Sequence, residues 1–424
     1  MNSLVLKGGR ILDAGGERGG DVVVEDGRIV AVGKDLMGDV TLDAAGCVVT
    51  PGLVDLHAHL REPGREEAET VETGSRAAAL GGFTCMIAMP NTEPAIDSAA
   101  VVRDVQALGA KALCDVAVAA AITIGRAGEQ LTEMAELAAL GVRLFTDDGN
   151  GVQDDRLMRR ALEYASGLGV TLAQHCENDA LSAGGHMHEG AWSSRLGIPA
   201  QPAEAEELMV MRDIALARLT GTRVHFQHLS TAGSIAMVRA AKGGRLPITA
   251  EATPHHFTLT DAACAGYDPV FKVNPPLRTD SDVAAVKAGL VDGTVDAIAT
   301  DHAPHEPERK ELPFDEAPPG MLGLETALAL ALTELAMPLS EILALLSWRP
   351  AAIAGVDGDH GGPIDVGRAA NLCVVDPNAS WVVDPGRLAS KARNTPYAGR
   401  QVRGRVRHTL LRGEPVVIDG EAQR

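Results

Sequence analysis

Asp55-Leu56-His57-Ala58-His59-Leu60-Arg61-Glu62-Pro63-Gly64 follows an apolar run, Val48 to Val54, and reads as the end of a buried strand. Alternate residues of a strand share a face. His57 and His59 therefore point the same way, with only Ala58 between them. Two neutral imidazoles on one face near a strand end make a start to a metal site. Standing alone, the pair reads as readily as two histidines packed against a core.

Outward from this stretch, short apolar runs recur at Leu53–Leu56, Thr84–Met89, Asp115–Ala119, Val142–Phe145, Val170–Ala173, Val224–Phe226, Ile248–Ala250 and Val295–Ala299. Amphipathic or Ala/Leu-rich segments separate most of them, including Glu69–Leu80, Ala99–Leu108, Thr132–Leu140, Asp155–Leu168, Ala203–Leu219 and Ala232–Lys242. Eight strands alternating with helices predict an α/β chain folded as a (β/α)8 TIM barrel over residues 53–356. A doubly wound sheet is the alternative. The barrel is preferred because chemically capable residues lie at the ends of several different strands, the first and last included. Both ends of the chain have another texture, short apolar runs between Gly and Asp turns. They predict a small β-sandwich domain formed jointly by residues 1–52 and 357–424.

Hydrophobic residues make up 46% and charged residues 22%, as in a globular chain. With aromatics at 3%, the core has to be built from Ala, Val, Leu and Ile. A formal charge of −19 argues against nucleic acid or an anionic membrane as the main partner. The six cysteines, at 47, 85, 114, 176, 264 and 373, show no clustered framework, and the expected setting is reducing and cytoplasmic. The apolar run nearest to a membrane span, Leu322 to Leu339, carries Glu325 and Glu334.

Five predicted strands end in metal-binding residue types. They are His57-Ala58-His59, Thr146-Asp147-Asp148-Gly149, Gln174-His175-Cys176-Glu177, Gln227-His228-Leu229-Ser230 and Thr300-Asp301-His302-Ala303. In a barrel these ends converge on the C-terminal face, where such folds keep their sites. Four histidines and two carboxylates exceed what one tetrahedral zinc with an open position requires, so two ions fit better. Zinc brings a bound water to a pKa near ~7. Attack on a carbonyl then needs a base that also serves the leaving nitrogen, and Asp301 is well placed for that.

With these residues in view, the sequence resembles the dihydroorotases of the amidohydrolase superfamily. The resemblance runs through the opening ten residues, Glu72-Thr73-Gly74, Met89-Pro90-Asn91-Thr92, Phe145 to Gly149 and His175-Cys176-Glu177. It continues through Thr249 to His256, Asn274-Pro275-Pro276-Leu277-Arg278 and Ala299 to His305. It implies that His57 and His59 hold one Zn2+ and His175 and His228 a second. Asp148 would bridge them, with Asp147 as the alternative, and Asp301 would be both ligand and acid/base. It further implies that Arg61 and Asn91 bind a substrate carboxylate with help from Asn274 and His305, and that the backbone of Pro319 and Gly320 contacts the ring. Many superfamily relatives bridge with a carboxylated Lys. This chain has none at that position, in keeping with the Asp-bridged branch and with a second zinc site filled only in part.

The implied reaction interconverts N-carbamoyl-L-aspartate and L-dihydroorotate. The expected assembly is a homo-oligomer, and association with aspartate transcarbamoylase is left open. Hydantoinases and allantoinases are the nearest rivals, but they carry the bridging Lys and need no Arg61/Asn91 clamp. A non-catalytic scaffold subunit is the other rival, and it would have lost ligands that are all present here. The remaining histidines read as accessory. His255 and His256 would support the site without touching an ion, His225 would face away from His228, and His360 and His408 would be exposed. Pro304–Pro319 reads as a loop able to close over the site.

Overall fold

The computed structural model describes residues 3–424. Eight parallel strands form one sheet: β1 (Leu53–Ala58), β2 (Phe83–Ala88), β3 (Asp115–Ala120), β4 (Leu144–Phe145), β5 (Thr171–Gln174), β6 (Val224–Phe226), β7 (Ile248–Ala252) and β8 (Ala297–Ile298). Each pairs with its neighbours in sequence order. The sheet closes where Ala58 bridges His302 in parallel register and His59 N–H donates to His302 O at 2.9 Å. The expected TIM barrel is therefore present.

Local chemistry explains the alternation. Thr70, Thr231 and Thr279 cap the helices Val71–Leu80, Ala232–Gly243 and Asp280–Asp292 by accepting a backbone N–H three residues on. Alternate strand residues such as Val54, Cys85, Ile87, Ala119, Leu144 and Ala173 form one apolar cluster with the helix Trp348–Ala354. The residues between them, such as Met86, Val118, Phe145 and Phe226, pack in another cluster with the surrounding helices. Small inner side chains are what a chain poor in aromatics can supply.

Two further sheets come from the chain ends. One has four strands, from Leu4–Lys7, Asp21–Glu25, Arg28–Gly33 and Val40–Asp43. The other has seven and pairs Val48–Pro51 with Leu372–Val382, which in turn pairs with Gln401–Leu411. Leu6, Val22 and Ile29 of the first sheet share an apolar cluster with Val49, Val374 and Leu410 of the second. His360 and His408 are not exposed, as the sequence suggested; they are 3% and 1% accessible. His360 sits between Thr84 and Asp115, and His408 reaches the Asp43 carbonyl at 3.1 Å. Both are buried by contacts between distant parts of the chain, which local polarity does not reveal. All six cysteines are buried and unpaired. Among the described residues, no helix is long and apolar enough to cross a membrane.

The barrel and the C-terminal segment meet at Glu325, beside a cavity of about 690 Å³. One Glu325 carboxylate oxygen accepts from Ala389 N at 2.9 Å and Ser390 N at 3.4 Å. Burial, opposed by these amides and reinforced by nearby Glu69, pushes its pKa up to about 7. The folded chain thus keeps a proton there that the unfolded chain releases near 4.5, and stability falls as pH rises from about 4.5 to about 7. Glu325→Gln removes this titration. Its melting temperature should decline less than that of the parent between about pH 5 and 7, and equal declines in a thermal melt series would contradict the linkage.

Candidate active site

The C-terminal strand ends bring all six expected ligand residues together. Asp148 is central. Its Oδ1 lies 3.2 Å from His57 Nε2 and 3.6 Å from both His175 Nδ1 and His228 Nε2. Its Oδ2 lies 3.5 Å from His59 Nε2. Asp301 Oδ1 is 2.9 Å from His59 Nε2 and 3.5 Å from His57 Nε2. Two compact donor groups result, His57–Asp148–His228 and His57–His59–Asp301, with His57 in both. Asp147, the alternative bridge, turns away and accepts from Thr123 N and Oγ1.

The backbone is bent to achieve this. Arg61, His228 and Asp301 adopt positive φ values of 62°, 33° and 45°. Such conformations are uncommon for residues other than glycine and collect at functional sites. The turn at His228 also corrects the reading of His225. Strand alternation would send the two to opposite faces, but β6 ends at Phe226 and the chain then twists. His225 therefore points into the barrel as well, where its Nε2 meets Glu251 Oε2 at 3.0 Å.

The donor set fits a cation. His57 Nε2 and Asp148 Oδ1 are buried and have no hydrogen-bond partner among the described residues. Burial opposes charge on both, yet Asp148 and Asp301 draw His57 toward its protonated form, and the surrounding histidines hold Asp148 well below the usual carboxylate range. Burial likewise disfavours a charged His175, but Asp148 and Glu177 raise it to about 10. The cluster calls for positive charge, and its imidazoles and carboxylates are donors able to hold a metal ion.

A cavity of about 240 Å³ opens onto this cluster, lined also by Arg61, Asn91, Asn274, His305, Pro319 and Gly320. Every expected substrate residue thus faces the same space. Arg61 is 5% accessible and pairs with no carboxylate among the described residues; only its Nε is engaged, with Pro304 O at 3.2 Å. Burial and nearby Arg65 lower its pKa to about 10, so it stays charged near neutrality. Asn91 Oδ1 faces His59 Nδ1 at 2.8 Å, which leaves the amide NH2 free to donate. His305 Nε2 donates to Pro319 O at 2.8 Å. Gly320 has φ 140°, and a Cβ there would lie 2.7 Å from that of Ala303.

The family-model match, described as Dihydro-orotase-like, covers residues 46–234. A dihydroorotase from Pelotomaculum thermopropionicum is 50% identical over 383 residues, 89% of each chain. One from Mycobacterium leprae is 48% identical over 427 residues, 97% of each. The chain belongs to the dihydroorotase family. It is thus a cyclic amide hydrolase that acts on a small molecule. Solved structures of similar fold include the L-hydantoinase from Arthrobacter aurescens, with TM-score 0.90 and 24% identity, covering 100% of this chain and 98% of that one. The D-hydantoinase from Bacillus sp. AR9 follows with TM-score 0.88 and 25% identity, covering 99% and 96%. These likenesses establish the shared barrel and terminal sheets.

Other residues of this dihydroorotase-family site escape a motif reading. Asn394, from the C-terminal segment, donates to Ala303 O at 3.0 Å and Gly320 O at 3.1 Å and accepts from His305 N at 3.2 Å. It ties together both walls of the substrate loop. Lys310 pins the same loop by donating to Pro269 O at 3.0 Å and Pro318 O at 2.8 Å. No sequence signal marks either residue, because their partners are backbone groups. Asn394→Ala removes three buried bonds and should reduce stability by about 1–3 kcal/mol. With the loop walls loosened, KM for the cyclic amide should rise more than kcat falls; steady-state kinetics beside a melting curve checks this.

Proposed function

We propose that the chain interconverts N-carbamoyl-L-aspartate and L-dihydroorotate in pyrimidine synthesis, with two zinc ions per chain as cofactor. The observation that carries this reading is the unpaired, buried Arg61 in the cavity that holds the His/Asp cluster. A substrate whose only demand were the cyclic amide would leave this guanidinium without a counterion, at a substantial desolvation penalty. The free carboxylate of dihydroorotate satisfies its fork of donors, and the Asn91 amide adds another.

In this reading His57 and His59 would hold one ion and His175 and His228 the other, with Asp148 shared between them and Asp301 completing the set. The central position of Asp148 Oδ1 supports the bridge, as the His57–His59–Asp301 group supports the first site. Bound zinc supplies an activated water and polarises the ring carbonyl. Arg61, Asn91, Asn274 and His305 hold the substrate carboxylate, while Pro319 and Gly320 border the ring. In hydrolysis Asp301 takes a proton from the attacking water as the new C–O bond forms. It then delivers that proton to the ring nitrogen as the C–N bond breaks. Cyclisation runs the same steps backwards. In the folded chain the histidine contacts hold the Asp301 carboxyl far below its usual range despite burial, so it is ionised and ready to accept.

The test pairs metal content with turnover. Zinc-loaded protein should hydrolyse dihydroorotate in strong preference to hydantoin and allantoin; the reverse preference would favour a hydantoinase. Asp301→Asn should retain zinc at least in part and lose roughly 10²–10⁴-fold in kcat, the usual worth of a positioned acid/base. Arg61→Met should act chiefly through KM for dihydroorotate, and a variant that lost zinc but kept KM would refute the clamp.

A further inference from the structure

Beneath the ligand cluster lies a polar layer that has no part in the reaction as described. Its centre is Glu251, 0% accessible, near the end of β7. Oε1 lies 2.9 Å from His57 Nδ1, and Oε2 lies 3.0 Å from His225 Nε2. His225 Nδ1 is in turn 2.8 Å from Thr249 Oγ1. These residues sit on β1, β6 and β7, and β1 is not a neighbour of β6 or β7 in the sheet. Their side chains therefore meet across the barrel interior.

The donor inventory fixes the protons. An ionised carboxylate only accepts, so each ring nitrogen facing it carries hydrogen. Both Glu251 oxygens face imidazole nitrogens, so the carboxylate takes the acceptor's part toward His57 and His225 alike. His57 therefore turns Nδ1–H to Glu251, which leaves Nε2, beside Asp148 and without a hydrogen-bond partner, as the atom a metal ion would take in place of a proton. Gln227 Nε2 lies 3.3 Å from the same Nδ1, a longer contact, and also has Met89 Sδ at 3.5 Å. His59 differs. Its Nδ1 faces the neutral Asn91 amide oxygen. The two histidines of one motif thus lean on unlike partners, an anion and an amide.

We propose that Glu251 is a positioning residue for the metal centre: it takes the His57 Nδ1–H, leaving Nε2 to the metal ion, and, as a buried anion behind the ring, makes His57 the stronger metal ligand of the pair, while His225 and Thr249 hold the carboxylate in place. Carboxylates behind metal-bound histidines raise ligand basicity, and their loss commonly weakens metal affinity 10–100-fold. The inference rests on His57 being a metal ligand, as the proposed function has it.

The experiment uses the full chain, stripped with a chelator and titrated with zinc against a chromophoric competitor, and a parallel Co2+ sample followed by its visible absorption. Glu251→Gln keeps an acceptor oxygen of similar reach and loses the charge. Its zinc Kd should rise roughly 10–100-fold, with a changed Co2+ band pattern. A parent-like Kd and spectrum in Glu251→Gln would overturn the inference. If that variant does not fold by circular dichroism, Glu251→Asp, which keeps the charge but withdraws it from the ring, decides: weakened zinc binding supports the role and unchanged binding overturns it. A parent protein that binds no zinc would instead overturn the proposed function, so the two failures are distinct.

Discussion

The site exists because the last strand of the barrel is pinned to the first. Asp55 is fully buried and accepts from Thr300 N at 2.8 Å and Thr300 Oγ1 at 2.6 Å, while His59 N–H reaches His302 O. Burial pushes the Asp55 pKa up to about 7 against these two donors. The seam sets His57 and His59 beside Asp301, residues more than two hundred positions apart in the chain. Every other strand end only has to stay in register with its neighbour to bring Asp148, His175 and His228 to the same place.

Once the seam is closed, electrostatics dominates. Asp148, Asp301 and Glu251 are three buried carboxylates around one imidazole, His57. Buried charges without opposite partners are expensive, so such a cluster is stable only with cations in it. The cavity above repeats the principle with opposite sign. Arg61 is buried, with Arg65 nearby, in a chain whose overall charge is −19. One half of the site lacks positive charge and the other lacks negative charge, which is what an arrangement for metal ions and a carboxylate-bearing molecule requires.

Much of this was legible in the sequence. Strand alternation located all eight barrel strands to within two residues at each end, with Val295–Ala299 shrinking to Ala297–Ile298. Strand ends picked out His57, His59, Asp148, His175, His228 and Asp301, which the fold brings together. What escaped notice has a common physical cause. Period-2 reasoning fails where a strand ends in a left-handed residue, so His225 was sent outward when the twist at His228 turns both inward. Glu251 lay in a recognised motif, but its partners on β1 and β6 are defined only by the closed barrel. Asn394 and Lys310 bond backbone groups, which carry no residue-type signature. His360 and His408 are buried by elements from remote parts of the chain, and polarity alone placed them on the surface.

The hold of Asn394 on Ala303, His305 and Gly320 has a consequence for how the molecule is made. A ribosome emits the chain from its N-terminus, and the first pair of ligand histidines emerges long before Asp301. The loop acquires this restraint only when residue 394 has appeared, shortly before the strand Gln401–Leu411 that pairs within the terminal sheet. Before Asp148 and Asp301 emerge, His57 and His59 lack the carboxylates that face them in the folded chain. Fixing the loop walls at Ala303, His305 and Gly320 is therefore a late event of synthesis, because the residue that holds them follows far along the chain.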